Sequence, residues 1–164
     1  MGAHSTNYAP LMKPMSFERT IAAPVESVWA ALTDIPRRAE LFSKIDVVEP
    51  LTDGPFGLGT RWRETRTVYG QSSSANVEVV ELDAPHRFLT ESVVGPRSTM
   101  EYVLLPARDG ASTTVRVTSE TTGGSLIYKI GEALGRSRIT QCIVENNTQD
   151  LIDLAHDCES RRAS

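Results

Sequence analysis

The chain has 164 residues, of which 40% are hydrophobic, and 17 Lys plus Arg against 21 Asp plus Glu give it a net charge of −4. This is one ordinary globular domain, long enough to bury about two-thirds of its unfolded surface without a metal or a disulfide, and too apolar to stay disordered. It is also too acidic for a non-specific nucleic-acid binder, whose phosphate contacts need clustered cations.

No run reaches the roughly 18 apolar residues of a membrane span, and the first fifteen residues lack the apolar stretch of a secretory leader. The expectation is a cytoplasmic protein with no integral membrane association. Gly2 to Ser5 are set aside from fold reasoning. Residues 1–14 read as a flexible tail, 15–159 as one domain and 160–164 as a short C-terminal tail.

Met15 to Ile21 reads as a first strand, broken by Ala22-Ala23-Pro24. Val25, Val28, Trp29 and Leu32 then follow at the spacing of one helical face. Pro24 suits the start of that helix, Glu26 suits its dipole, and Asp34-Ile35-Pro36 ends it. Arg37 to Phe42 reads as a second short helix.

From Lys44 onward the pattern becomes strands: Ile45–Leu51, Thr60–Tyr69, Ala75–Leu82, Arg87–Val94, Ser98–Leu105 and Thr113–Thr121. Turn-rich breaks separate them, including Gly54-Pro55 to Gly59, a polar turn over Gly70–Ser74, Asp83-Ala84-Pro85, Gly95-Pro96 and Asp109-Gly110. Consecutive strands joined by short turns predict an antiparallel meander.

Beyond Gly124 the spacing predicts helix to about Cys158. Leu126, Ile127, Ile130 and Leu134 begin an apolar stripe that Ile139, Ile143, Asn147, Leu151, Leu154 and Cys158 continue. Gly131 and Gly135, one turn apart, would share a face of it. The α+β order is thus β-α-α-β6-α, and the long helix is the element able to cover the sheet's apolar face. Cys142 and Cys158 on that helix would lie about 24 Å apart, too far for the roughly 7 Å limit of a disulfide, so both are expected as free thiols.

This order, with its punctuation, resembles the START-like (SRPBCC) superfamily, in its polyketide cyclase/dehydrase and lipid-transport branch. The residues that carry the likeness are the run Ile21 to Trp29, the loop Gly54-Pro55 to Gly59-Thr60, the segment Val79 to Phe88, and the hairpin Leu104-Leu105-Pro106 to Val115–Thr118. The resemblance implies a helix-grip fold: a curved antiparallel sheet of about seven strands wrapped around the C-terminal helix, with a ligand cavity between them. It carries across no catalytic residue, because the family has no universal one.

Strand alternation selects the side chains expected to face that cavity. Between Thr60 and Tyr69, Trp62, Glu64, Arg66 and Val68 share one face, while Arg61, Arg63, Thr65, Thr67 and Tyr69 share the other, polar one. The first set is expected inward. Val77 and Val79 join it, although Val80 and Leu82 compete for that face. Phe88, Thr90 and Ser92 are expected inward over Leu89, Glu91 and Val93. Met100, Tyr102 and Leu104 follow, then Val115, Val117, Ser119 and Thr121, and Asn147 on the helix stripe.

The candidate ligand-binding residues are therefore Trp62, Glu64, Arg66, Val77, Val79, Phe88, Thr90, Met100, Tyr102, Leu104, Val117, Ser119 and Asn147. Glu64 and Arg66, about 6.8 Å apart along the strand, can meet as a polar anchor for an acidic ligand or as an acid–base pair. They can equally satisfy only each other.

His4, His86 and His156 have no ligand-spaced partners, so no metal is expected. No nucleophile elbow occurs, and the Gly54–Gly59 loop precedes a strand where a phosphate cradle needs a helix, so no cofactor is expected. The leading expectation is binding of a hydrophobic or amphipathic small molecule: a lipid, polyketide or other aromatic compound. The rivals are a polyketide cyclase or dehydratase using Glu64, Arg66 and Tyr102, and a protein-interaction module without a small ligand. A sealed core with no cavity would favour the last.

Overall fold

The computed structural model describes residues 12–93, 97–122 and 135–162. Among these, seven strands form one antiparallel sheet: β1 (Met15–Ile21), β2 (Val47–Pro50), β3 (Arg61–Val68), β4 (Gln71–Asp83), β5 (Arg87–Val93), β6 (Arg97–Pro106) and β7 (Thr113–Thr122). They lie in the order β1-β7-β6-β5-β4-β3-β2, so β2 to β7 is the expected meander and β1 closes the far edge against β7. Helix α1 (Val25–Thr33), a single turn of 3-10 helix and helix α2 (Arg38–Leu41) connect β1 to β2, and the long helix α3 (Arg136–Arg162) follows the sheet. This is the helix-grip arrangement.

Helix α1 buries Val25, Val28, Ala31 and Leu32, the face its spacing predicts. Pro24 sits just before the first helical residue, and its carbonyl accepts from the Ser27 and Val28 amides.

Local chemistry moves several expected boundaries. The turn expected over Gly70–Ser74 is only Tyr69-Gly70, and the serines belong to β4. Both turn residues have positive φ, 50° and 76°. This is the two-residue hairpin geometry whose twist matches the strands, and it lets Val68 pair directly with Gln71. Polarity alone hides it, because Ser74 lies on the outer face and hydrogen-bonds Thr65.

The competition among Val79, Val80 and Leu82 is resolved by a register shift between Val79 and Glu81. One extra residue lets Val79 oppose Thr90 and Leu82 oppose Phe88 on the same face, three positions apart instead of two. Gly135, with φ 77°, precedes α3 and is not part of it. Gly131, the stripe Leu126–Leu134, Gly95-Pro96 and most of the N-terminal tail lie outside the described residues. At its other end α3 runs past residue 159 to Arg162, whose guanidinium donates to the Ala22 and Ala111 carbonyls.

The core fills the space between the sheet, α1 and the second half of α3. Leu151, Leu154, Ala155 and Cys158 from α3 are buried with Ile21, Leu32, Phe42, Leu104 and Val115. Asp153 and Glu159 also tie α3 to the connecting segments: Asp153 accepts from Ser43, and Glu159 accepts from the Ala22 amide. The first half of α3 is mostly exposed or half-buried up to Asn146. Cys142 and Cys158 are both free.

Candidate ligand-binding site

Antiparallel register arranges the inward side chains in rows that run across the sheet. One row is Leu82, Phe88, Tyr102 and Val117; the next is Val79, Thr90, Met100 and Ser119; the third is Val77, Ser92, Ser98 and Thr121. Polarity rises from the first row to the third. In the first row Tyr102 and Val117 lie beneath Leu151 and Leu154 of α3, Trp29 of α1 and Phe56 cover Phe88, and Leu82 is exposed at the row's end; the third row faces Ile139 and Ile143 in the exposed half of α3.

A cavity of about 270 Å³ opens over the second and third rows, roofed by Ile139, Ile143, Asn146 and Asn147 of α3. Its floor carries the hydroxyls of Thr90, Ser92, Ser98, Ser119 and Thr121 between the apolar Val77 and Met100. Some of these hydroxyls are already engaged: Thr90 donates to the Met100 carbonyl, and Ser98 and Thr121 bond each other at 3.3 Å. Asn147 is buried and donates to the Ile143 carbonyl of its own helix at 2.9 Å, not to sheet or loop backbone.

At one end the cavity meets a buried charge network. Glu64 accepts from Arg66 Nε at 2.8 Å through one oxygen, and from Arg38 and the Trp62 indole N–H at 3.3 Å through the other. Arg66 continues to Asp150, with Nη1 and Nη2 on its two oxygens at 3.2 and 2.8 Å. Arg38 is held further by the rings of Phe42 and Trp62, whose centroids lie 4.9 and 5.3 Å from its guanidinium carbon. Two cations and two anions thus balance.

Burial pushes the Glu64 carboxyl up, but Arg38 and Arg66 outweigh it and hold the group below the ordinary carboxylate range. Burial opposes both guanidinium charges as well, and the carboxylates outweigh it, so both titrate above the usual arginine value. For Asp150 burial dominates over the pull of Arg66 and raises its pKa. The two-pronged contact is nevertheless one that only an ionised carboxylate makes, so Asp150 is charged in this arrangement.

Seven of the thirteen candidates line this cavity: Glu64, Arg66, Val77, Thr90, Met100, Ser119 and Asn147. The other six do not. Trp62, Val79, Phe88, Tyr102, Leu104 and Val117 are buried in the core. Phe88 stacks on Tyr102 at 4.5 Å, and Trp29 and Phe56 pack edge-on against Phe88. Tyr102 and Val117 border a void of only about 10 Å³ under Leu151 and Leu154. Alternation finds the inward side of a strand, but it does not show how closely the helix lies over each row.

Arg38 and Asp150 were missed. Arg38 sits on a four-residue helix that the sequence reads only through its apolar side, and Asp150 neighbours Leu151 on the stripe. Glu64 and Arg66 facing inward beneath a covering helix are the signal that asks for further polar partners on the covering elements. A larger groove of about 510 Å³ lies outside, between α1 and the end of α3. Its arginines are spent within the protein: Arg37 pairs with Asp34 and Asp157, Arg161 pairs with Asp157, and Arg162 holds backbone carbonyls. Among the described residues, no group of three or more His, Cys, Asp or Glu side chains is placed to hold a metal ion. No described helix is long and apolar enough to cross a membrane.

The family model for polyketide cyclase/dehydrase and lipid transport matches residues 12–149. The chain belongs to this family. Among solved structures, the Zhui aromatase/cyclase from Streptomyces superposes with a TM-score of 0.77 at 19% identity, covering 91% of this chain and 94% of that one. A protein from Thermus thermophilus gives 0.72 at 22% identity, covering 92% and 99%. A START superfamily protein from Mycobacterium smegmatis gives 0.72 at 15% identity, covering 90% and 97%. At these identities the likeness is one of fold. No curated protein sequence compared with the chain matches it.

Proposed function

We propose that the chain binds a compact amphipathic molecule, ring-built and bearing hydroxyl or carbonyl groups, in the cavity between the sheet and α3. The observation that carries this reading is the cavity itself, with five hydroxyls on its floor and Val77, Met100, Ile139 and Ile143 as apolar walls. Apolar walls supply affinity, and a few placed polar groups fix orientation. A volume of about 270 Å³ lies just under the usual range of roughly 300–1,000 Å³ for small-molecule sites, which favours a ring compound over a two-chain lipid. An open cavity also disfavours the reading as an interaction module with a sealed core.

The acid–base alternative is weaker at the residues first considered for it. A base must be free to take a proton, and Glu64 is engaged by three donors and held below the ordinary carboxylate range. Tyr102 lies in the core, where burial lifts its phenol above the usual value, and its hydroxyl meets the Met100 sulfur at 3.9 Å.

Native mass spectrometry of freshly purified protein, followed by titration with a naphthol, tests the reading. Binding should fall at least about tenfold in Ser119→Leu, which fills the floor beside Met100, while the variant keeps a cooperative unfolding transition. Unchanged affinity would place the ligand elsewhere.

A further inference from the structure

We propose that Asp150 is the specificity-determining residue of the cavity: by occupying the end of the Arg66 guanidinium, it closes the site to anionic ligands and makes it selective for uncharged ones. This rests on the binding function proposed above and names the charge class of its ligand. An inward arginine beside an apolar cavity would ordinarily be an anchor for a carboxylate.

A guanidinium offers a carboxylate two hydrogen-bonding edges, the end formed by both Nη atoms and the side formed by Nε and one Nη. Here the end edge holds both oxygens of Asp150, and Nε on the side edge holds Glu64 at 2.8 Å. An incoming anion finds neither edge free for a two-pronged contact. It meets instead Glu64 and Asp150, two acceptor-only groups that line the same cavity. The second guanidinium does not help, because Arg38 lies behind Glu64, is 4% exposed and does not line the cavity. The charges on the cavity wall are therefore one cation and two anions. Uncharged hydroxyl and carbonyl groups pay no such penalty and find partners on the floor.

The charged and titratable groups facing Asp150 are Arg66 and Glu64 of β3 and Arg38 of α2. Tyr102 of β6 also feels its charge. Arg66 is the one that touches it. An anion can then enter in one way: Asp150 takes up a proton and releases the guanidinium end. Its raised pKa makes this step easier than for an exposed aspartate.

The test compares a naphthol with the naphthoate of the same ring skeleton, by calorimetric titration of the wild-type chain and of Asp150→Asn. Wild type should prefer the naphthol by at least about tenfold, and the asparagine variant, which removes one of the two anions on the cavity wall and weakens the hold on the Arg66 guanidinium end, should shift that ratio toward the naphthoate by about tenfold or more. A second measurement needs no variant: between about pH 8 and about pH 6, wild-type affinity for the naphthoate should rise as pH falls, while that for the naphthol stays level. A wild-type chain that binds the naphthoate as well as the naphthol overturns the proposal. So does a ratio that neither the variant nor pH moves. If neither probe binds either protein, the binding function itself fails; if the naphthol binds but the ratio stays fixed, only the role of Asp150 fails.

Discussion

Glu64→Gln should destabilise the protein by about 3 kcal/mol, the lower end of the range for breaking a buried ion pair, because glutamine keeps one carbonyl acceptor. Glu64 bridges Arg38 and Arg66, and its side chain is only 12% exposed. Without its charge, Arg38 loses its carboxylate contact at a position where its own side chain is 5% exposed. The melting temperature should fall by about 6–12 °C. Glu49→Gln is the control: Glu49 pairs with Arg63 at 3.6 Å with both side chains about half exposed, and its loss should cost no more than about 1 kcal/mol.

The Glu64 effect should also depend on pH. The folded-state pKa of Glu64 is depressed. Its contribution is therefore present above the unfolded value of about 4.3 and disappears as pH falls through the lower folded value. Wild type and variant should converge in acid. Asp150 runs the other way: its raised folded pKa means that protonation relieves a cost, so it adds no loss of stability on acidification. Thermal melts of both proteins across pH check the sign. Equal stability near neutral pH would mean that the network contributes nothing beyond its own desolvation.

Ending the chain before Asn147 should abolish cooperative folding. The removed segment carries Leu151, Leu154, Ala155 and Cys158, all buried, together with the two carboxylates that fasten α3 to Ser43 and Ala22. Emptying one buried leucine to alanine costs about 2–5 kcal/mol. Two leucines and their neighbours then account for most of the roughly 5–15 kcal/mol that keeps a domain folded. The exposed sheet face would also aggregate. The measurements are the urea unfolding curve and the soluble yield. A soluble fragment with a sigmoidal transition would show that the sheet stands without its helix.

Much of the architecture was legible because it depends on local rules. The i, i+3, i+4, i+7 spacing from Val25 to Leu32 gave α1, and turn residues punctuated a meander. The inward face of β3 was readable for the same reason: Arg61, Arg63, Thr65 and Thr67 are costly to bury, which leaves Trp62, Glu64 and Arg66 inside. What alternation lacks is depth along the strand. Phe88 and Thr90 share a face, yet one is covered by Trp29 and Phe56 and belongs to the core, while the other borders the cavity beneath α3. The bulge after Val79 and the two-residue turn at Tyr69-Gly70 escaped because both depend on pairing with a neighbouring strand. Arg38 and Asp150 escaped because their roles come from meeting β3 across the fold.

The rows of the sheet divide the work of the protein by position along the strands. Phe88, Tyr102, Val117 and Leu82 form one row, and Ser92, Ser98 and Thr121 lie two rows away over open space. Substitutions at the half-buried Ser92, Ser98 and Ser119 remove few packed contacts, so their stability cost is small, whereas substitutions in the aromatic row disturb a close-packed cluster. A handful of small side chains lining the cavity can therefore be exchanged without disturbing the packing that holds the scaffold beneath them. A family built on this sheet can diversify in what it holds without relearning how to fold.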